Sequence, residues 1–313
     1  MGPARSRVTT SRGEKGDIRS NMKETILDLA RKRPVIFDGA MGTMLMASGL
    51  AAGEVPEQLN VDRPAEVMEI HRRYYEAGSD VVHTNTFGGN PIKLADRGCA
   101  DQAARLNREA ARIAREVCPE GRFVAGDIGP TGKMMAPLGD VTREQMEDAF
   151  RAQAEALLEG GVDLISVETM FSLDEALAAV AGARKAGAGL VAAATTFQRT
   201  KRGFFTVMGE SPARCASAFE EAGVDVIATN CTLGSEEMIE LTRELRASTG
   251  SPLLVQPNAG KPVTRKGVTR YEQSPEAFAR DGLAIVEAGA GMVGGCCGTD
   301  DRFIRALAEA VIG

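Results

Sequence analysis

The fold is decided by stretches such as EEAGVDVIATNC, residues 220–231, in which a helix gives way to a strand. Ala222 and Gly223 suit the end of a helix, because glycine accepts the left-handed backbone that closes the last turn. Residues 225–230 are short and largely apolar, as expected of a parallel strand covered on both faces. Cys231 stands at the point where that strand should end. The stretch predicts a helix, a turn and a buried strand in direct succession.

The same succession recurs along the chain, which alternates eight times between short β-branched runs and longer amphipathic stretches. The predicted strands are residues 35–38, 80–84, 123–127, 163–168, 190–195, 225–230, 253–256 and 292–294. The predicted helices are residues 64–77, 103–117, 143–159, 173–185, 212–222, 236–247, 275–287 and 302–311. Eight βα units predict the α/β class and a (β/α)8 TIM barrel, since right-handed crossovers leave few other topologies.

The domain organisation is predicted to be simple. A doubly wound sheet is the alternative fold, and it would normally place a G-x-G-x-x-G fingerprint after its first strand. The sequence there is GAMGT, residues 39–43, which does not match that fingerprint. No linker divides the chain, so residues 23–313 are predicted to form one barrel after a disordered tail at residues 1–22. Residues 198–205 are predicted to form a loop or hairpin after the fifth strand.

Composition excludes several classes of protein. Of the 313 residues, 43% are apolar and 26% are charged, which is ordinary globular usage. The formal net charge of −6 argues against a nucleic-acid partner. No run approaches the roughly 20 apolar residues of a membrane helix, and residues 1–17 lack the apolar segment of a signal peptide. We therefore expect a cytoplasmic protein with no membrane partner.

The six cysteines are better interpreted as thiols than as a disulfide framework in a chain of this length and composition. Three of them stand singly in helical stretches. The other three, Cys231, Cys296 and Cys297, follow the sixth and eighth predicted strands. Active sites of this kind of barrel lie at the carboxyl ends of the strands. The sequence therefore predicts that these three thiols converge on the barrel mouth.

Three thiols from neighbouring strands suit a tetrahedral site for a soft metal, zinc above all, with a fourth position left open. Adjacent residues of a strand point to opposite faces, so Cys296 and Cys297 can share one ion only if the strand has ended. Gly294, Gly295 and Gly298 would permit the turn. The structural alternative is that the adjacent pair lies in the core and Cys231 is an unrelated thiol.

Such a site favours thiol alkylation over water activation, because a bound metal deprotonates an incoming thiol and leaves its sulfur nucleophilic. Asp38 and Glu168, at the ends of the first and fourth strands, are candidates to bind a substrate ammonium group. Amides of residues 39–43 are candidates for a substrate carboxylate. For each acid, a structural ion pair or a helix cap is the alternative. His83 is interpreted as a hydrogen-bonded core residue and Asp127 as a loop organiser.

Five motifs in order give the chain a resemblance to the homocysteine S-methyltransferase family over residues 30–312. They are DGAMGT at 38–43, TNTFG at 84–88, GDIGP at 126–130, TNC at 229–231 and GCCG at 295–298. GPTGK at 129–133 and PLGD at 137–140 make it most similar to the homocysteine-binding barrel of cobalamin-dependent methionine synthases.

The resemblance implies a zinc-dependent transfer of a methyl group to homocysteine, giving methionine, with zinc on Cys231, Cys296 and Cys297. It implies that Asp38 and Glu168 bind the homocysteine amino group, and that Asn258 completes the metal shell when substrate is absent. Gly39, Thr43 and Asn85 are further candidates for substrate binding. These roles are expectations carried over from the matching motifs.

The methyl donor is less defined, because a full methionine synthase carries its cobalamin module on the same chain, and we expect none beyond the barrel here. Aromatic residues are only 4% of the chain, too few to favour the aromatic cage that a small onium donor would use. We expect a methylcorrinoid protein, carrying methylcobalamin and supplied in trans. The alternatives are a small onium donor such as S-methylmethionine or a betaine, another thiol acceptor, and a non-catalytic subunit that binds homocysteine or zinc.

Overall fold

The computed structural model describes residue 2 and residues 24–51, 53–265 and 268–313. Within them, eight parallel strands form a barrel and helices surround it. The predicted tail at residues 1–22 lies, apart from Gly2, outside the described residues, so the tail and the domain boundary stay predictions. None of the described helices has both the length and the apolar composition needed to cross a bilayer.

Twelve strands are found in the described part of the chain, eight in the barrel and four in two hairpins. They are β1 (Val35–Ile36), β2 (Val81–His83), β3 (Phe123–Ile128), β4 (Leu164–Met170), β5 (Val191–Thr195), β6 (Gln198–Thr200), β7 (Gly203–Phe205), β8 (Val226–Gly234), β9 (Leu253–Asn258), β10 (Pro262–Arg265), β11 (Val268–Tyr271) and β12 (Met292–Val293). The predicted hairpin is the antiparallel pair β6 and β7. The second hairpin, β10 and β11, was not predicted.

The helices alternate with the barrel strands, and four short ones, the first, second, third and fifth along the chain, are additional to the eight predicted helices. The helices of the described residues are α1 (Ile26–Ala30), α2 (Met41–Ala47), α3 (Leu59–Asp62), α4 (Pro64–Glu76), α5 (Pro91–Ala95), α6 (Ala103–Glu116), α7 (Arg143–Glu159), α8 (Leu173–Lys185), α9 (Pro212–Glu221), α10 (Ser235–Ser248), α11 (Pro275–Glu287) and α12 (Asp301–Ile312), with single 3-10 turns at Pro56–Gln58 and Ala100–Gln102. Thr142 opens α7 with a capping box, as the sequence predicts for a helix start.

The barrel closes at the seam between β1 and β2. The strand order is β1-β12-β9-β8-β5-β4-β3-β2, and a parallel bridge between Phe37 and Val81 joins its two ends. Asp80, fully buried beside this seam, accepts two hydrogen bonds of 2.7 Å from Arg33 and one of 3.0 Å from the Ile36 amide. The predicted (β/α)8 TIM barrel is therefore confirmed, and the doubly wound alternative is wrong.

The interior of the barrel changes from apolar to polar towards the carboxyl ends of the strands. Alternate residues of a strand face the same side, and on β4 these are Leu164, Ser166 and Glu168. On β8 they are Val226, Ala228 and Asn230. The lower positions belong to a buried apolar cluster inside the barrel. The positions towards the carboxyl ends of the strands therefore make the mouth polar, and the apolar cluster fills the barrel below it.

Candidate functional site

Three thiols meet at the barrel mouth. The sulfur atoms of Cys231, Cys296 and Cys297 all lie within 4.8 Å of one another, and those of Cys231 and Cys297 are 3.8 Å apart. Zinc–sulfur bonds of about 2.3 Å place two sulfurs of a tetrahedral site about 3.8 Å apart. The structure thus brings the three predicted ligands together at a spacing that suits one metal ion, and the alternative of an unrelated Cys231 is wrong.

The end of β8 is bent so that Cys231 faces the other two thiols. Cys231 and Thr232 have positive φ angles of 58° and 63°, and the register of β8 with β9 shifts between Asn230 and Gly234. A non-glycine residue in this left-handed region costs of order 1–3 kcal/mol. The rest of the barrel therefore holds a strained backbone at the residue whose sulfur belongs to the cluster.

Cys296 and Cys297 lie beyond the end of β12, so strand alternation does not separate their side chains. Their main chain is fixed against the end of β9, because the Cys296 amide donates to Pro257 at 2.8 Å and the Ala259 amide donates to the Cys297 carbonyl at 3.0 Å. Gly298 follows with a φ of 85°. The predicted turn is present, and Gly298 supplies its left-handed residue.

Tyr271, at the end of the second hairpin, covers this turn. A Cβ on Gly298 would lie 2.3 Å from Cγ of the Tyr271 ring, so only glycine fits beneath the ring. The Gly298 amide donates to Thr43 Oγ1 at 3.0 Å, which joins the turn to α2. Tyr271 also hydrogen-bonds Cys297, and this contact helps to lower the pKa of that thiol.

The thiols act on one another electrostatically. Hydrogen bonds from Cys231 and then Cys296 lower the pKa of Cys297 to about 3. Those contacts with Cys231 and Cys297 raise the pKa of Cys296 instead. The cluster is therefore arranged around a thiolate, which is the form of cysteine that binds metal ions.

Asn258 offers a further metal ligand at the end of β9. Its side chain is buried, and Oδ1 has no hydrogen-bond partner among the described residues. The next residue, Ala259, is the one bonded to the Cys297 carbonyl. A buried acceptor without a partner is expensive unless something else satisfies it. This orphaned oxygen fits the predicted role of Asn258 as a displaceable ligand.

A second group of polar residues lies on the β1 to β4 side of the mouth. Asp38 is 1% exposed, and its two carboxylate oxygens accept hydrogen bonds of 2.8 Å from the Nδ1 and the main-chain amide of His83. His83 Nε2 is 3.1 Å from Ser166 Oγ. Burial alone would lower the pKa of His83, but the charge of Asp38 and the hydrogen bond to it raise the pKa.

Glu168 and Asp127 form a pair of carboxyl groups on β4 and β3. Burial, together with the charges of Glu168 and Asp38, raises the pKa of Asp127, and the two carboxyl groups are hydrogen-bonded. Burial also raises the pKa of Glu168, against the opposing charge of His83. The contact between the two groups raises the pKa of Asp127 and lowers that of Glu168, so Asp127 takes up a proton more readily than the half-buried Glu168.

Asn230 connects the thiols to the carboxyl groups. Its side-chain NH₂ donates to Glu168 at 2.9 Å and to Thr169 Oγ1 at 2.8 Å, and lies 3.8 Å from the sulfur of Cys296. Its Oδ1 accepts from the Thr169 amide at 2.8 Å. Thr169 itself has a positive φ of 59°. One amide therefore links two bent strand ends, those of β4 and β8.

Comparison with known proteins identifies the family. The sequence profile of the homocysteine S-methyltransferases matches residues 35–311. This chain belongs to the homocysteine S-methyltransferase family. The resemblance drawn from the five motifs is thereby confirmed.

Relatives within the family include methionine synthases of Mycobacterium tuberculosis and Mycobacterium leprae. They are 38% identical over 305 residues and 37% identical over 302 residues, in each case 91% of this chain. The chain spans 25% of the length of either relative. A crystal structure of the metallated homocysteine methyltransferase MmuM from Escherichia coli has a TM-score of 0.74 and 25% identity, over 90% of this chain and 97% of that chain.

The other residues predicted to bind substrate are Gly39, Thr43 and Asn85. Among the described residues, their side chains make no hydrogen bond to the three thiols or to the acids. Asn85 uses its side-chain amide to donate to the Pro56 carbonyl at 2.8 Å and to Asn60 Oδ1 at 3.1 Å. Gly39 packs so closely that a Cβ would lie 2.7 Å from Thr299 Oγ1. Their contacts with substrate, and that of Thr43, stay predictions.

Sequence reasoning missed Asn230, Ser166 and Tyr271 as parts of the site. A signal existed for the first two, because both occupy inward positions of strands where apolar residues give way to polar ones. Tyr271 had no such signal, since its hairpin was not predicted. The interpretation of His83 as a hydrogen-bonded core residue agrees with its contacts.

Proposed function

We propose that this chain transfers a methyl group to the thiol of homocysteine, giving methionine, with zinc held by Cys231, Cys296 and Cys297. The proposal rests on one observation, the three sulfur atoms within 4.8 Å of one another at the mouth of a barrel of this family. Zinc bound there would deprotonate the incoming thiol and keep its sulfur nucleophilic. Asn258 would fill the fourth position until substrate arrives.

The acid side of the mouth supports an amino-acid substrate. Glu168 keeps partial solvent access, and the charge of His83 favours its anionic form, so it is the better placed acceptor for the homocysteine ammonium group. Each oxygen of Asp38 already accepts one hydrogen bond and retains capacity for another. Gly42 is exposed in the first turn of α2, beside the amides proposed to bind the carboxylate.

The reaction is a nucleophilic displacement at carbon. The homocysteine sulfur forms a bond to the methyl carbon, the bond between that carbon and the donor breaks, and its electron pair stays with the donor. The thiol proton leaves to solvent. Residues of this chain would hold the sulfur and the amino-acid end of the substrate, while the donor approaches from the open side of the mouth.

The donor we propose is a methylcorrinoid protein that docks on the mouth. A small onium donor would need open aromatic faces. Three rings near the mouth are already covered by side-chain cations, with Lys93 at 4.9 Å from the Phe87 centroid, Arg199 at 5.5 Å from that of Phe204 and Arg202 at 5.4 Å from that of Phe205. Phe197 is fully buried, and Tyr271, which is half-buried at the thiols, is a single ring hydrogen-bonded to Cys297.

A small onium donor remains the second candidate, because the Escherichia coli structure named a homocysteine methyltransferase is matched over 97% of its chain by this barrel alone. A donor screen decides between the two. Metal-loaded protein is given homocysteine and a 13C-methyl donor, either a methylated corrinoid protein, S-methylmethionine or betaine, and labelled methionine is measured by mass spectrometry.

We expect labelled methionine with the corrinoid protein. Label from S-methylmethionine or betaine alone would overturn the donor assignment. Bound homocysteine with no labelled product from any donor would favour the non-catalytic subunit. Label on other thiols in preference to homocysteine would overturn the acceptor. The cytoplasmic location stays a prediction.

A further inference from the structure

His83 connects three strands at the centre of the acid side. It ends β2, its Nε2 lies 3.1 Å from Ser166 Oγ on β4, and its Nδ1 donates to Asp38 beyond β1. Its register partner on β3 is Ala125, whose small side chain leaves room for an imidazole inside the barrel. The ring lies 5.4 Å from that of Phe37, between centroids. His83 is therefore fixed from four sides.

Asp38 depends on this one residue for its orientation. Both oxygens accept hydrogen bonds of 2.8 Å, one from the imidazole and one from the amide of His83. The amide bond belongs to the barrel seam and would survive replacement of the side chain, whereas the imidazole bond would not. Removing the imidazole would leave a carboxylate that is 1% exposed with an unmet acceptor, which is costly.

The charges around His83 favour its protonated form. Asp38 faces it from the residues after β1, Glu168 from β4 and His71, also an imidazole, from α4. Asp127 on β3 acts on His83 through its pairing with Glu168. Burial lowers the pKa of His83, but the charge of Asp38, the hydrogen bond to it and the charge of Glu168 together raise the pKa. The charge of His83 in turn opposes the raised pKa of Glu168. The charge of His83 thus favours the anionic form of Glu168.

We propose that His83 is a positioning residue, which orients Asp38 and keeps the acid side of the mouth in the form that binds the substrate ammonium group. The inference rests on the proposed function, because the ligand it names is homocysteine. His83 does not touch the reacting sulfur in this proposal. Its effect is on the affinity for homocysteine and on the pH dependence of that affinity.

Two replacements separate the contacts of His83. Asn at position 83 retains a donor near the site of Nδ1, whereas Gln places its amide near the site of Nε2. The dissociation constant of homocysteine is measured by calorimetry for metal-loaded wild type, His83→Asn and His83→Gln, with metal content and thermal unfolding as checks. We expect His83→Gln to weaken binding about tenfold or more and His83→Asn about threefold, since hydrogen bonds to charged groups are the strong ones.

The pH profile gives a readout that a merely structural role would not move. Wild-type affinity should change in one step as pH passes through the titration of His83, and that step should be absent from both variants. Equal dissociation constants and equal pH profiles in all three proteins would overturn the proposal.

Imidazole NMR tests the Asp38 contact without any substrate. The chain has only two histidines, so the His83 signals are readily assigned. In Asp38→Asn the pKa of His83 should fall towards or below its ordinary value, whereas in the exposed control Glu159→Gln it should stay unchanged. An unmoved His83 would overturn the proposal. If wild type binds no homocysteine, the proposed function fails, and this NMR result still decides whether Asp38 and His83 are coupled.

Discussion

The two halves of the mouth are built in different ways. On the sulfur side, Cys231, Cys296 and Cys297 are placed by the backbone, through the left-handed residues at the end of β8 and the turn at Gly298. On the acid side, Asp38 and Glu168 are placed by side-chain partners from β2, β3 and β8. No other residue can replace a metal ligand that the backbone positions. A hydrogen-bonded acid belongs to a network in which several groups bind or orient the substrate.

This difference predicts an all-or-none response on the sulfur side and a graded one on the acid side. Removing one thiol leaves two ligands, too few for a stable site with three protein ligands. Removing one acid or donor leaves a neighbour that still binds or orients the substrate. Four substitutions, taken in order of expected effect, test the contrast.

The largest effect is expected for Cys297→Ala. This variant should lose the metal and all measurable methyl transfer while its circular dichroism stays that of wild type, because the apolar base of the barrel lies below the thiols. Metal analysis after purification under reducing conditions is the measurement. Cys118→Ala, a half-buried thiol at the end of α6, is the matched control and should keep its metal. Full metal content in Cys297→Ala would refute the contrast.

Glu168→Gln is expected to act on substrate binding and not on the metal. Loss of the anion should raise the KM for homocysteine about tenfold to hundredfold, the effect of removing one charged hydrogen bond of about 1.5–3 kcal/mol. Metal content should stay at the wild-type level. Glu159→Gln on α7, an exposed acid paired with Arg108, provides the control. A KM equal to that of wild type would remove Glu168 from the site.

Asn230→Ala should affect both halves, because this amide lies between them. Glu168 and the Thr169 amide would each lose a partner, so the KM should rise about threefold to tenfold and unfolding should become easier by about 1–3 kcal/mol. Steady-state kinetics and denaturant unfolding measure the two effects. An effect on metal content alone would show that Asn230 belongs to the sulfur side and does not bridge the two.

Asp127→Asn should have the smallest effect, on stability and in a pH-dependent direction. The pKa of Asp127 is raised in the folded protein, so the folded state binds more protons than the unfolded state and stability falls as pH rises above about 4. Asparagine removes this loss and still donates to Glu168. Its Tm relative to wild type should therefore be higher at pH 8 than at pH 5. The opposite trend would mean that Asp127 is ionised.

Sequence alone predicted the barrel well because each βα unit carries a local signal. The predicted helices over residues 143–159, 173–185 and 275–287 agree with α7, α8 and α11 at both ends. The strands of the mouth extend further than predicted, to Met170 in β4 and Gly234 in β8. These extensions are bulged and partly left-handed, and apolar patterning gives no signal for such backbone.

The sulfur side of the site could be predicted from the sequence, whereas the hydrogen-bond partners on the acid side could not. The cysteines could be located because strand ends converge in any barrel of this kind. The partners of the acids could not, since the hydrogen bonds from His83 to Asp38 and from Asn230 to Glu168 depend on register between strands. Tyr271 reaches Cys297 from a hairpin whose strands lack a strong apolar pattern.

The central claim is that three sulfurs of this chain hold one zinc ion with a position open to an incoming thiol. X-ray absorption at the zinc edge, before and after homocysteine is added, tests it most directly. The account predicts three sulfur neighbours and one oxygen or nitrogen before addition, and four sulfurs afterwards. Fewer than three sulfurs at the outset, or an unchanged shell in protein with homocysteine bound, would contradict it.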